Sequence, residues 1–180
     1  MVWLLAVVAD AGWVPTPPLL PLVVGWLVMF SLPGRVLVGA ATVRALTAGL
    51  KPGHYPRGSW NHLRVWAAER VVVYNKYDVL TGTPMARTLH RLFGNTVGRD
   101  AHLYNTPPVT GLVRVGDHAT VEFEADLSGY WLDGDVFHVG AIEIGEHARV
   151  GTRTLVDPGM HVGAGAEVLP GSHVSRAVPA

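Results

Sequence analysis

Cysteine is absent from the 180 residues. That excludes disulfides, thiolate metal sites and cysteine nucleophiles. A surplus of either charge is also missing, with 14 Lys and Arg against 14 Asp and Glu. The basic residues are scattered, so no electrostatic footprint for a nucleic acid is present. Charge is scarce altogether, at 16% of residues against roughly one quarter in soluble domains. The scarcity is uneven. Residues 1–50 carry only Asp10, Arg35 and Arg44, and membrane contact is therefore the first expectation for this region.

Met1 to Ala9 is apolar but ends at Asp10, too short alone for a bilayer core that needs about 20 residues. It has neither a basic start nor a convincing small-residue cleavage site, which argues against a signal peptide. After Pro15-Thr16-Pro17-Pro18, the run Leu19 to Phe30 is apolar throughout, and apolar character resumes beyond Pro33 as far as Leu50. Pro33 would bend or break a helix there. The expectation for residues 1–50 is an apolar helical hairpin at a membrane, with Trp3, Trp13 and Trp26 as interfacial anchors. Arg44 and Lys51 would place its exit on the cytoplasmic side. A buried soluble hairpin is the alternative.

Residues 51–95 read as a linker followed by two helices. Lys51 to Gly58 holds two prolines and two glycines. Ser59 can cap a helix running to about Leu80. Leu63, Trp66, Arg70 and Val73 lie on one side, Trp60, Ala67, Val71 and Tyr74 form a second apolar stripe, and such a helix is expected to need cover on more than one side. Thr83-Pro84 starts a second helix and Gly94 stops it.

From residue 96 to 178 an aliphatic residue returns every sixth position. One run is Val97, Leu103, Val109, Val115, Val121, Leu127; the other is Ile144, Val150, Val156, Val162, Val168, Val174. Gly follows the aliphatic residue and Ala comes three places after that Gly in Val97-Gly98-Arg99-Asp100-Ala101, Val115-Gly116-Asp117-His118-Ala119, Ile144-Gly145-Glu146-His147-Ala148 and Val162-Gly163-Ala164-Gly165-Ala166. Three short strands at period six make a coil of about 18 residues. The expected fold is mainly β: a left-handed parallel β-helix of hexapeptide repeats, about four coils, preceded by membrane-type apolar helices and two capping helices. In it Val97 stacks on Val115, Leu103 on Val121 and Ile144 on Val162. The Gly is expected at a corner with unusual backbone angles and the Ala where walls come close. Between Leu127 and Ile144 the spacing is seventeen, one short of three hexads, and residues 128–138 are expected to be an extruded loop holding the specific chemistry.

The hexad resembles that of hexapeptide-repeat acyltransferases. A narrower resemblance runs over residues 35–175 and rests on Leu50-Lys51-Pro52-Gly53-His54-Tyr55-Pro56, Gly82-Thr83-Pro84, Leu92-Phe93-Gly94-Asn95-Thr96-Val97-Gly98 and Leu112-Val113-Arg114-Val115-Gly116-Asp117. These segments resemble the tandem membrane-linked C-terminal domains of ε-poly-L-lysine synthetase and related nonribosomal peptide synthetase-like enzymes. The resemblance implies amide formation from an aminoacyl thioester. Adenylation and carrier domains are then the partners, and the carrier's phosphopantetheine thioester is the donor. Neither upstream domain is visible in this sequence, so it implies a stand-alone copy or a piece of one elongation-type domain. The family pattern has an Asn-His pair and a further His where this sequence holds Glu122-Phe123 and Tyr130, a departure that fits a degenerate copy.

Amide formation from a thioester needs a base for the amine and a polar site for the developing oxyanion. Tyr130, His138 and Glu122 are the catalytic candidates. Glu124, Asp126, Asp133 and Asp135 are the candidates for holding a cationic amine. Glu122, Glu124 and Asp126 alternate, so a single strand would present all three outward. His118 and His147 share one repeat position, and His102 and His173 share another, but no histidine pair stands at ligand spacing, and no metal is expected. Two alternatives stay open: an acyltransferase using an acyl-CoA donor, and a non-catalytic scaffold. The repeat region is expected on the cytoplasmic side of a membrane, with a homo-oligomer left open.

Overall fold

The computed structural model describes residues 19–180. The expected first arm at Met1–Ala9 and the anchors Trp3 and Trp13 lie outside the described residues. The chain divides into two compact units, Met1–Val38 and Gly39–Ala180.

In the first unit, α1 (Leu19–Phe30) is twelve residues long and buries none of them. Ser31 then breaks the chain. The Ser31 hydroxyl accepts the Gly34 amide at 3.2 Å, and Pro33 falls in the first turn of α2 (Leu32–Thr47), where its missing donor costs nothing. The two helices meet at 75°. No single helix among the described residues is long and apolar enough to cross a membrane; the bent pair is so only by combined length and composition. The expected membrane-type helical hairpin is corrected accordingly.

The second unit takes in the C-terminal part of α2, where Ala40, Val43 and Thr47 are buried. The strand β1 (Gly53–Pro56) and helix α3 (Trp60–Asn75) follow. Ser59 caps α3 by accepting the His62 amide at 3.4 Å. Arg64 donates to the carbonyls of Leu46 and Ala48, so a cation meets the orphan carbonyls at the end of α2. The helix stops at Lys76, whose φ of 52° is left-handed, and a 3₁₀ turn over Tyr77–Leu80 follows. The expected extension to Leu80 as one helix is thereby shortened. The buried residues of α3 are Val65 and Ala68. Both expected stripes are corrected, since Trp60, Leu63, Trp66, Val73 and Tyr74 are exposed. The expected helix start at Thr83-Pro84 is corrected: Thr83 accepts the Met85 amide in a turn, α4 runs Ala86–Leu92 with Met85 at its N-cap, and Gly94 ends that segment at φ 99°.

The remaining strands are β2 (Thr96–Val97), β3 (His102–Leu103), β4 (Val113–Val115), β5 (Thr120–Val121), β6 (Tyr130–Asp133), β7 (Val136–Val139), β8 (Ile142–Ile144), β9 (Arg149–Val150), β10 (Leu155–Val156), β11 (His161–Val162), β12 (Glu167–Val168) and β13 (His173–Val174). Three parallel sheets, in orders β11-β8-β4-β2, β12-β9-β5-β3 and β10-β13, stand beside one antiparallel sheet β1-β7-β6. Val97 pairs with Val115, Leu103 with Val121 and Ile144 with Val162, the stacks expected from the repeat. All twelve period-six aliphatics are buried; apolar burial of this kind contributes roughly 1.5–3 kcal/mol per side chain.

The fold class as a whole differs from the expectation. The chain is not mainly β and is not a clear left-handed β-helix. Four helices among the described residues accompany strands of only two to four residues, grouped in several small sheets of mixed direction. The physical reason is local. Period six governs stacking only where the repeat runs, and residues 19–92 and 130–139 obey other patterns.

Two details of the repeat are corrected as well. The residue in the left-handed conformation is the one three places after the aliphatic: Asp100, His118, Glu124, His147 and Arg153 have φ of 49–57°. The Gly next to the aliphatic is needed for close approach instead. A Cβ on Gly145 would lie 2.5 Å from the Ala164 nitrogen and 2.7 Å from the Gly163 carbonyl carbon, both backbone atoms of the following turn. The expected extruded loop is an ordered hairpin. β6 and β7 pair antiparallel, with Tyr130 opposite Val139 and Asp133 opposite Val136, and β1 adds along β7. Parallel partners are 18 residues apart on either side of the hairpin and 29 apart across it. Eleven inserted residues leave the register intact.

Candidate functional site

A cleft of about 320 Å³ opens between α3 and two connections of the repeat region. Glu69, Val72 and Val73 form its helical side, residues 106–109 its rim, and Asp126, Ser128 and Tyr130 its far wall. Glu69 is the only carboxylate on α3. It sits one turn before the apolar pair Val72 and Val73, so the helix presents one acid beside an apolar surface.

The far wall is fixed by short-range polar contacts. The Asp126 carboxylate accepts the Ser128 amide at 2.8 Å, a local turn motif common for Asp. Thr110 donates to the Ser128 carbonyl at 3.3 Å. Tyr130 packs against the buried Phe137 ring, with centroids 5.3 Å apart. Its hydroxyl shares the cleft with the Glu69 carboxylate and feels its charge. Burial first, then the neighbouring Glu69 carboxylate and the charge of Asp126, push the phenol far above its ordinary range. Tyr130 is therefore a neutral hydrogen-bond donor, not a base. Arg70 stands behind Glu69, with 3.9 Å between guanidinium and carboxylate and the guanidinium 6.0 Å over the Trp66 ring.

The structure brings together two of the sequence candidates, Tyr130 and Asp126, and adds Glu69, which the sequence reading missed. The signal for Glu69 was there as the lone acid of an otherwise apolar and basic helix. Glu122 does not line this cleft. It accepts Arg149 at 2.8 Å through Nε and both the amide and hydroxyl of Thr152 at 3.0 and 2.7 Å. The Thr152 hydroxyl, then Arg149, hold its carboxyl below the usual range. Glu124 pairs with Arg153 at 2.5 Å. The expectation that Glu122, Glu124 and Asp126 share one strand is corrected: β5 ends at Val121 and the left-handed Glu124 turns the chain between them. Asp133 and Asp135 lie at the hairpin turn, where the Asp135 carbonyl accepts the Arg57 amide at 2.7 Å. His138 sits on the base of the hairpin, its Nδ1 2.7 Å from Nδ1 of His54.

Glu69 and Asp126 make the cleft acidic, Val72, Val73 and Pro107 make part of it apolar, and Tyr130 supplies one neutral donor. Such a site suits a cationic group on an aliphatic stem, with a hydrogen-bond donor for an oxygen beside it. No family model matches the sequence, and no curated protein matches it either.

Proposed function

We propose that this cleft receives the acceptor amine in an acyl-transfer, amide-forming reaction on a carrier-bound aminoacyl thioester. The observation that carries this reading is the placing of the Glu69 carboxylate and the neutral Tyr130 phenol in one acidic, partly apolar cleft. The acceptor nitrogen attacks the thioester carbonyl, forming the C–N bond. As it does so its N–H becomes acidic, and the Glu69 carboxylate takes that proton. Tyr130 donates a hydrogen bond from its hydroxyl to the carbonyl oxygen as negative charge builds there. The C–S bond then breaks and the sulfur leaves as a thiol, taking up the proton that Glu69 received. Asp126 holds the ammonium form of the acceptor, which gives one proton to solvent before the neutral amine attacks. Adenylation and carrier domains supply the thioester in this reading, and the apolar composition of α1 supports attachment to a membrane.

The test uses an aminoacyl N-acetylcysteamine thioester as donor and free lysine as acceptor, with amide product measured by mass spectrometry and acetyl-CoA as donor in a parallel reaction. The full chain is expected to form the dipeptide amide above the uncatalysed rate. Glu69→Gln is expected to lower the rate on the order of 100-fold, the usual contribution of a positioned base. Tyr130→Phe is expected to lower it on the order of 10-fold, and Glu122→Gln to leave it unchanged. A folded chain that forms no amide from the thioester, or a Glu69→Gln variant as fast as the parent, overturns the assignment. Product from acetyl-CoA alone replaces the donor with an acyl-CoA.

A further inference from the structure

His54 and His138 are 84 residues apart in sequence, yet β1 and β7 set them directly opposite each other. Their Nδ1 atoms are 2.7 Å apart and their ring planes cross at 78°. At that distance the two nitrogens share one proton, one ring donating and the other accepting. Both side chains reach solvent, with His54 exposed and His138 half-buried. Trp131 adds the third position of the same cross-strand row, its ring edge-on to His138 at 5.9 Å.

We propose that His54 and His138 form a two-histidine site for a divalent late first-row metal ion of the zinc and copper class. Imidazole nitrogen is the ligand these ions favour. Two tetrahedral ligands at metal–nitrogen distances of about 2.0–2.1 Å stand about 3.3 Å apart. The pair therefore opens by only about half an ångström to admit the ion. The ring that donates moves its proton to Nε2 through solvent, so both Nδ1 lone pairs face the metal and charge is conserved. Among the described residues no group of three or more His, Asp or Glu is placed to hold an ion. The protein thus supplies two ligands, and water or a bound molecule completes the shell.

A second histidine pair in the chain shows by contrast why geometry singles this one out. The His118 and His147 rings are stacked, 4.9 Å between centroids and 13° between planes. Imidazole lone pairs lie in the ring plane, so stacked rings send them out side by side instead of toward a common point. The crossed rings of His54 and His138 aim theirs at each other. An ion there joins β1 to the hairpin one residue from Val139, the cross-strand partner of Tyr130. Occupancy therefore braces the strand pair that carries the cleft's phenol. This inference does not depend on the acyl-transfer reading, because its readouts are binding and stability.

The test is titration of the full chain with Cu²⁺ and with Zn²⁺ by calorimetry, with electron paramagnetic resonance on the copper form and thermal unfolding with and without Zn²⁺. The expected result is one ion per chain, two nitrogen ligands in the copper spectrum and a higher unfolding midpoint with zinc. His54→Gln and His138→Gln, each checked for folding by circular dichroism, are expected to weaken binding at least 10-fold and to abolish the zinc-induced shift. The double variant His118→Gln with His147→Gln is expected to bind like the parent. Unchanged binding in His54→Gln and His138→Gln overturns the proposal, as does loss of binding in the His118 and His147 variant. So does a parent chain that binds neither ion at millimolar concentration.

Discussion

Gly145→Ala is expected to destabilise the chain by about 3 kcal/mol, at the upper end of the overpacking range because the obstacle is backbone. The added methyl would sit 2.5 Å from the Ala164 nitrogen and 2.8 Å from its Cα. A flexible side chain could swing aside, but these atoms belong to the next parallel turn, held by the Gly145 amide donating to the Val162 carbonyl at 2.8 Å. Relief requires spreading two turns whose inward residues, Ile144 and Val162, are buried against each other. For a chain of this size the loss lowers the melting temperature by about 6–12 °C, measurable by differential scanning calorimetry. The comparison variant is Gly165→Asn. Gly165 has φ 70° and open space around the position a Cβ would take, and Asn tolerates the left-handed region. Its expected cost is under about 1 kcal/mol. Equal midpoints for the two variants would show that crowding between turns is not what selects glycine after the aliphatic residue.

Acidification from pH 7 to pH 4.5 is expected to cost this fold most of roughly 3 kcal/mol through one residue, His90. His90 lies on α4 with 1% of its surface exposed. Its Nε2 is 3.2 Å from the Asn105 carbonyl, while its Nδ1 and the Asn105 side-chain oxygen are buried without partners. Burial lowers its pKa from 6.5 to about 4, and the bond to the Asn105 carbonyl opposes that only in part. The folded pKa is below the unfolded one, so the unfolded chain binds the proton first. Stability is complete above pH 6.5, falls as pH drops from 6.5 toward 4, and levels off below that. Asp117 and Glu122, held below the usual carboxylate range by Arg99 and by Thr152 with Arg149, begin to lose their contribution only as pH falls through their ordinary values of 3.8 and 4.5, at and beyond the acid end of this window. Urea midpoints measured at half-unit pH steps check the profile. His90→Gln keeps a nitrogen donor near the position of Nε2 and cannot titrate, so its profile should be flat between pH 6.5 and 4.5. A variant as acid-sensitive as the parent would assign the effect to another group.

These expectations separate what was legible in the residues from what was not. The inward stacks were legible because period six is a local property, and every one of the twelve aliphatics is buried. The reason for the neighbouring glycine was misread. Whether a Cβ fits there depends on the backbone of the next turn, 18 residues on, and no local pattern reports that distance. The left-handed corner was hidden for a related cause, since Asp100, His118, Glu124, His147 and Arg153 share no side-chain chemistry. The supposed acidic strip failed because a strand was assumed to continue through Glu124, where the chain turns. Glu69 and Tyr130 meet across 61 residues of sequence, and His54 meets His138 across 84.

By itself the sequence determined the absence of thiol chemistry, the buried aliphatic ladder, the break at Ser31–Pro33, the Ser59 cap of α3 and the Gly94 stop after α4. Each of these depends on neighbours within a few residues or on a strict repeat. The tertiary structure alone decided that α3 exposes its aromatic stripes, that residues 130–139 form a hairpin braced by β1, and that Glu69 rather than Glu122 faces Tyr130. Those outcomes depend on which distant segment occupies the space beside a residue, and burial, pairing and a phenol's proton all follow from that neighbour.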